Sequence, residues 1–196
     1  MGRPAVTVLA AGLGTRFGGD KLEAMCAGKP LGRWVIEAVE AAGMGPGTIV
    51  TGPEWVTFAS GWTRAVNPEP EAGLGSSLAL AARLARGKPS LLVLLADMPL
   101  VSAAYLRELA SRSAPAATRY PDGHAGVPAL LDPSLMERAE RLGGDRGAGP
   151  LLRRARLLDP PAGMLRDVDT PEDLAEVERM LAANRPPPSA SRTPPP

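Results

Sequence analysis

Residues 6–22 read Val6-Thr7-Val8-Leu9-Ala10-Ala11-Gly12-Leu13-Gly14-Thr15-Arg16-Phe17-Gly18-Gly19-Asp20-Lys21-Leu22. The apolar run at the start predicts a strand buried inside a sheet. It leads into a loop whose glycines let backbone N–H groups approach a phosphate, because no Cβ stands in the way. The two cations of the loop, Arg16 and Lys21, would neutralise a polyphosphate. The segment predicts a triphosphate-binding loop, and the alternative is a glycine-rich turn without a ligand.

Two other glycine loops are excluded by their spacing. A dinucleotide-binding loop needs a third glycine where this chain has Phe17. A P-loop needs Gly-Lys-Ser or Gly-Lys-Thr, and neither tripeptide occurs in the chain. The loop therefore belongs to another phosphate-binding class.

The rest of the chain alternates short apolar runs with helical patterns. Continuous apolar runs predict buried strands, and apolar residues on one helical face predict helices. Strands are predicted at 5–10, 91–96, 48–51, 63–66 and 115–119, and helices at 31–42, 76–86, 102–112, 133–142 and 171–183. This order predicts an α/β fold: a single Rossmann-like, doubly wound domain (residues 1–183) whose mostly parallel sheet carries helices on both faces. The Pro-rich residues 184–196 cannot build a core and predict a disordered or polyproline-like tail.

Composition excludes several classes of function. A net charge of +1 over 196 residues argues against binding to nucleic acid or to a membrane by bulk electrostatics. The single cysteine, Cys26, excludes an intramolecular disulfide and a multi-cysteine zinc site, and we expect it to be a small buried hydrophobe. The single histidine, His124, lies in a predicted surface turn over residues 120–126, so no imidazole base is expected. With no apolar run of about 18 residues and no signal-peptide pattern, a cytoplasmic protein is expected.

The first acidic candidate is Asp97, which directly follows the apolar run ending at Ala96. Ligands of α/β sheets bind at the carboxyl ends of the strands, and Pro99 prevents a smooth continuation into a helix. A carboxylate at this place suits Mg²⁺, which binds carboxylates together with phosphate oxygens. The alternative is a helix or turn cap.

A second acidic segment reads Asp167-Val168-Asp169-Thr170-Pro171-Glu172-Asp173. Thr170 predicts a helix N-cap, with Pro171 in the first turn and Asp173 closing a capping box. Asp167 and Asp169 are left without a structural role, so at least one of them is predicted to bind a metal. We assign Asp169 as that ligand.

In the segment 67–78, which begins with Asn67, residues 73–77 predict a flexible turn that opens the helix predicted at 76–86 and contains Ser76 and Ser77. Its glycines and hydroxyls predict contacts with the base or ribose of a nucleotide. The alternative is that Ser76 is an ordinary N-cap.

Taken together, these motifs resemble the molybdopterin nucleotidyltransferase family, which includes the molybdenum cofactor cytidylyltransferases. The family's N-terminal signature is close to L-A-[AG]-G-x-S-x-R-[MF]-G-x-x-K, and residues 9–21 match it except that Gly14 replaces the serine. The resemblance continues through Asn67 and residues 73–78, Asp97-Met98-Pro99, Gly126-Val127-Pro128, residues 144–148 and residues 167–173. It covers almost everything before the tail.

The resemblance implies a reaction in which a phosphate oxygen of an acceptor attacks the α-phosphorus of a nucleoside triphosphate and expels pyrophosphate. Ala10-Ala11-Gly12 and Asp167-Val168-Asp169 are similar to the branch that uses CTP, with molybdopterin as the acceptor. Alternatives are a guanylyltransferase, another phosphorylated acceptor such as a sugar phosphate or cobinamide phosphate, and a non-catalytic nucleotide-binding partner of a molybdoenzyme. A molybdoenzyme or its chaperone is a further candidate partner.

The resemblance also implies roles for individual residues. Arg16, Lys21 and Asp97 would be catalytic, and Asp97 and Asp169 would bind Mg²⁺. The nucleotide would contact Leu9, Ala10, Ala11, Gly12, Gly14, Thr15, Arg16, Lys21, Asn67, Ser76 and Ser77.

Overall fold

The apolar run that follows Pro4 forms the central strand β1 (Ala5–Ala10) in the computed structural model of the chain, which describes residues 2–12, 14–144 and 147–183. Residues 6–10 are all buried, because β1 lies between two parallel strands, β4 (Thr48–Thr51) and β6 (Leu91–Leu95), in a sheet that is covered on both faces. The tail predicted at 184–196 and the motif residues Asp145 and Arg146 lie outside the described residues.

The central strand belongs to a seven-stranded mixed sheet. The spatial order is β5 (Thr63–Val66), β4, β1, β6, β8 (Ala125–Leu131), β7 (Ala116–Arg119) and β9 (Arg156–Leu158). The strands from β5 to β6 are mutually parallel, β8 is antiparallel to both of its neighbours, and β9 is parallel to β7. A separate small hairpin pairs β2 (Met25–Cys26) with β3 (Lys29–Pro30).

Helices cover the sheet in two groups, α1 packed with α3 and α2 packed with α4. The helices are α1 (Leu31–Ala41), α2 (Leu74–Leu84), α3 (Ala103–Ser111), α4 (Pro133–Ala139) and α5 (Pro171–Ala183). Residues 91–94 of β6 are all essentially inaccessible, which requires both faces of the sheet to be covered. The predicted α/β fold with a mostly parallel sheet is confirmed. Within the described ranges, no helix is long and apolar enough to span a membrane.

Some predicted element bounds are corrected by the structure. Helix α2 begins at Leu74, two residues before the predicted start, because Gly73 is its N-cap with a φ of +89°. Ser76 is therefore not the N-cap, and its hydroxyl instead donates a hydrogen bond to the Gly73 carbonyl at 2.7 Å. The predicted surface turn over 120–126 ends at His124, since Ala125 and Gly126 already belong to β8.

Cys26 is a buried hydrophobe, as predicted. Its side chain is inaccessible and packs with Leu31, Val168 and Val177 in a small core beside the main one. Burial and the charge of Glu178 raise the pKa of the thiol to about 11. This small core brings the segment before α5 against the hairpin that follows the glycine loop.

Candidate active site

A cavity of about 480 Å³ opens at the carboxyl ends of β1 and β6. This is the edge at which ligands bind in parallel α/β sheets. Its walls are formed by Leu9, Ala10, Ala11, Gly12, Gly14, Thr15, Arg16, Lys21, Leu22, Pro70, Glu71, Gly73, Leu74, Ser77, Leu95, Ala96, Asp97 and Asp169. The cavity therefore collects the predicted glycine loop and the two predicted acidic segments.

The glycine loop turns back on itself at Gly14. This residue has a φ of +57°, and its carbonyl accepts hydrogen bonds from the N–H groups of Phe17 at 2.9 Å and Gly19 at 3.3 Å. A Cβ on Gly14 would lie 3.4 Å from the Cβ of Lys21, an ordinary contact, so the positive φ and not a lack of space favours glycine here. A serine, usual at this position in the family signature, would be strained in this left-handed conformation.

Lys21 bridges two carboxylates from distant parts of the chain. Its ammonium donates to Oδ2 of Asp97 at 2.8 Å and to Oδ1 of Asp169 at 3.2 Å, and only 10% of its side chain is exposed. Burial alone would lower the pKa of Lys21, but Asp97 and Asp169 outweigh this effect and raise it. The ammonium is therefore charged at neutral pH. Arg16 binds Oδ2 of Asp169 at 3.0 Å from a more exposed position.

Asp169 reaches Lys21 because the backbone before α5 is fixed at two points. The N–H of Val168 donates to the Asp97 carbonyl at 3.1 Å, and the Val168 side chain is buried. Immediately after Asp169, the Asp173 carboxylate accepts from the N–H and hydroxyl of Thr170, while the N–H of Asp173 donates to the Thr170 hydroxyl at 3.2 Å. This is the predicted capping box, which is confirmed. Asp167 does not line the cavity.

The two carboxylates suit a divalent cation. Oδ1 of Asp97 is buried and has no hydrogen-bond partner among the described residues, although a buried carboxylate oxygen ordinarily has one. The Lys21 ammonium lies between Oδ2 of Asp97 and Oδ1 of Asp169, so these two oxygens already share one bound cation. In the described ranges no three His, Cys, Asp or Glu side chains form a metal cluster. A donor set of two carboxylates completed by phosphate oxygens and water is the usual one for Mg²⁺.

Ser77 lines the cavity, whereas Asn67 and Ser76 are not among its wall residues. Asn67 is buried, and its amide nitrogen donates to the Ser76 hydroxyl at 2.8 Å and to the Ser77 hydroxyl at 3.0 Å. Its Oδ1 accepts from the N–H of Glu69 at 3.1 Å. The geometry makes Asn67 a positioning residue for the start of α2, and direct contact of Asn67 or Ser76 with a nucleotide stays a prediction.

Several wall residues were not among the predicted site residues. Leu95 and Ala96 directly precede Asp97, and Leu22 directly follows Lys21. Their place next to a predicted site residue was the only sequence signal that they line the cavity. Pro70 and Glu71 lie in the turn that follows Asn67, whereas Gly73 and Leu74 fall within the predicted segment 73–77 and form the start of α2. Only the folded chain shows that this turn faces the glycine loop.

Gly126 makes room for an aromatic ring near the site. A Cβ on Gly126 would lie 2.4 Å from Cε2 of Tyr120, whose hydroxyl donates to the Val127 carbonyl at 3.0 Å. Burial, followed by the charges of Asp167 and Asp97, raises the pKa of Tyr120 to about 12. Tyr120 therefore packs as a neutral phenol beside the acidic residues.

Replacing Gly126 by alanine should lower the free energy of unfolding by about 1–3 kcal/mol, because the Tyr120 ring is held by its own hydrogen bond and cannot move freely. Urea denaturation measures this change. Gly143→Ala is the matched control, since a Cβ on Gly143 would meet nothing within 4 Å. Equal stability of the two variants would contradict the close packing.

The fold and the site together define a class: an α/β protein with a glycine loop, two cations and two carboxylates at the carboxyl edge of its sheet, an arrangement that suits phosphate groups and a divalent cation. Residues 6–159 match the family of MobA-like NTP transferase domains, and the chain belongs to this family. It is a nucleotidyltransferase, and the family predicted from the sequence motifs is confirmed. No curated protein sequence matches the chain.

Solved structures with the same fold cover nearly the whole chain. A nucleotidyl transferase from Methanothermobacter thermautotrophicus is 23% identical with a TM-score of 0.80, over 94% of this chain and 100% of its own. Rv0371c from Mycobacterium tuberculosis is 21% identical with a TM-score of 0.74, over 90% and 98%. Molybdopterin-guanine dinucleotide biosynthesis protein A from Archaeoglobus fulgidus is 22% identical with a TM-score of 0.64, over 91% and 99%. At these sequence identities, the similarity to the three structures establishes the fold of this chain.

Proposed function

We propose that the protein is a Mg²⁺-dependent nucleotidyltransferase that moves CMP from CTP to the phosphate of molybdopterin and releases pyrophosphate. The observation that carries the proposal is the Lys21 ammonium, held between Asp97 and Asp169 at the end of a glycine loop. This arrangement supplies a cation for the triphosphate and two carboxylates for a divalent metal at one place.

The chain's own groups suit this chemistry. An acceptor phosphate has its second pKa near 6, so it attacks largely as the dianion and requires no base. Accordingly, the only histidine, His124, is an exposed turn residue. One oxygen of this phosphate forms a bond to the α-phosphorus, and the bond from the α-phosphorus to the bridging oxygen breaks. Pyrophosphate leaves with that electron pair.

Binding and charge neutralisation then account for the catalysis. The N–H groups of the glycine loop, Arg16 and Lys21 bind the triphosphate. Asp97 and Asp169 would hold Mg²⁺, which when bound neutralises phosphate charge. The space for the nucleoside is enclosed by the apolar wall from Leu9 to Ala11 and by the hydroxyl of Ser77.

The choice of CTP rests on Ala10-Ala11-Gly12 and Asp167-Val168-Asp169, which resemble the branch that uses this nucleotide. The same site would serve GTP or another phosphorylated acceptor, such as a sugar phosphate, without a change of mechanism. The intact set of Arg16, Lys21, Asp97 and Asp169 counts against a purely nucleotide-binding partner of a molybdoenzyme.

Thermal unfolding with CTP, GTP, ATP and UTP, each with and without Mg²⁺, tests the nucleotide. A ligand that binds only the native state raises the melting temperature. We expect the largest Mg²⁺-dependent rise with CTP, followed by pyrophosphate release when molybdopterin is added. A larger rise with GTP would replace the proposed nucleotide and keep the mechanism. Release of pyrophosphate with a sugar phosphate but not with molybdopterin would replace the acceptor.

A further inference from the structure

Glu71 places a negative charge in the cavity that the proposed reaction does not use. It lies in a short 3₁₀ helix (Pro70–Ala72) just before α2, and it lines the cavity with an exposed side chain. In the portion of the chain that the structure describes, no hydrogen bond or ion pair engages its carboxylate. A free carboxylate that faced the phosphates would repel them and weaken triphosphate binding. Whether Glu71 can contribute to nucleotide binding therefore depends on where it lies along the cavity.

Glu71 and the groups proposed to bind phosphate lie on opposite sides of β1 along the same cavity. Next to Glu71, Pro70 lies beside Gly52 at the end of β4, where a Cβ on Gly52 would be 3.7 Å from Pro70 Cγ. Strand β4 flanks β1 on the side away from β6, whereas Asp97 follows β6 and holds Lys21 there. If the proposed function is correct, a nucleotide whose phosphates lie at Lys21 therefore directs its nucleoside toward Glu71.

The surroundings of Glu71 suit a planar base. Pro70 and Leu74 line the cavity together with it, and 38% of the surface of Leu74 is exposed. Ala10 adds a small apolar surface from the end of β1, the strand next to β4. A pocket with apolar walls and a few polar groups fixes the orientation of its ligand through those polar groups. The carboxylate of Glu71 can only accept hydrogen bonds, so it requires a donor on the ligand.

We propose that Glu71 selects the base by accepting a hydrogen bond from the exocyclic amine of cytosine. The N4 amine of cytosine is a donor that pairs with a carboxylate. Uracil has a carbonyl oxygen at the same place, and a carboxylate repels that acceptor. Glu71 thus discriminates CTP from UTP, two nucleotides of almost the same shape.

Calorimetric dissociation constants for CTP and UTP, measured with Mg²⁺ on the full chain, test this role. We expect the wild-type protein to prefer CTP by about tenfold or more, the value of one such polar contact. In Glu71→Gln the amide oxygen accepts from cytosine and the amide nitrogen donates to uracil, so the preference should fall to about threefold or less. Inorganic tripolyphosphate should bind both proteins equally, which separates base recognition from phosphate binding.

Glu69→Gln is the matched control. It removes the same charge two residues away, at an exposed position that does not line the cavity, and the CTP preference should persist. An unchanged preference in Glu71→Gln overturns the inference. So does an equal loss of affinity for CTP and UTP, which would assign Glu71 to the ribose, and so does a wild-type protein that binds GTP more tightly than CTP. A wild-type protein that binds tripolyphosphate but none of the nucleotides would overturn the proposed function itself.

Discussion

Replacing Asp97 by asparagine should abolish nucleotidyl transfer while leaving the protein folded. Asparagine keeps the shape of the side chain and removes its charge, so Lys21 loses its shorter ion pair of 2.8 Å and the proposed Mg²⁺ site loses one carboxylate. We expect the rate of pyrophosphate release to fall at least about 100-fold, equivalent to about 2.7 kcal/mol of transition-state stabilisation. The assay uses Mg²⁺, molybdopterin and the nucleotide that stabilises the wild-type protein most.

Asp122→Asn is the control for the general effect of losing a carboxylate. Asp122 lies in an exposed turn and accepts a hydrogen bond from the N–H of His124, away from the cavity, so activity should be unchanged. Circular dichroism and the melting temperature report whether Asp97→Asn is folded. A folded Asp97→Asn protein that keeps Mg²⁺-dependent activity close to the wild-type rate would refute the metal assignment and the proposed mechanism.

The glycine loop and its two cations could be located from the sequence because their signal is local. An apolar strand, closely spaced glycines and two cations follow one another within residues 6–22, and the capping box of α5 is equally local at Thr170 and Asp173. Strand β8 was missed because Gly126 and Pro128 weaken the strand pattern within it. In the structure β8 nevertheless pairs with two neighbouring strands.

The contact between Lys21 and Asp169 could not be predicted, since 148 positions separate the two residues. It depends on the backbone bond from Val168 to Asp97 and on the burial of Val168 in a small core, neither of which has a local signature. Glu71 gave no signal either, because an exposed glutamate in a polar turn is ordinary in any sequence. Only its position in the wall of the cavity distinguishes it from Glu69.

Replacing Lys21 by methionine should change the binding of phosphate and of metal in opposite directions. Methionine keeps most of the side chain's length and removes the ammonium. A charge-assisted hydrogen bond contributes about 1.5–3 kcal/mol, so the dissociation constant for the nucleotide should rise by roughly 10- to 100-fold. Isothermal titration with Mg²⁺ and CTP measures this change, and Lys88→Met is the control because Lys88 lies outside this cavity.

The same substitution leaves Asp97 and Asp169 without their common cation. The two carboxylates then repel each other, so Lys21→Met should melt at a lower temperature than the wild-type protein when no metal is present. A divalent cation that binds between them no longer competes with the ammonium, and Mn²⁺ alone should therefore raise the melting temperature of Lys21→Met more than that of the wild-type protein. If Mn²⁺ raised both melting temperatures equally, the lysine and the metal would not share these carboxylates, and Lys21 would serve the triphosphate alone.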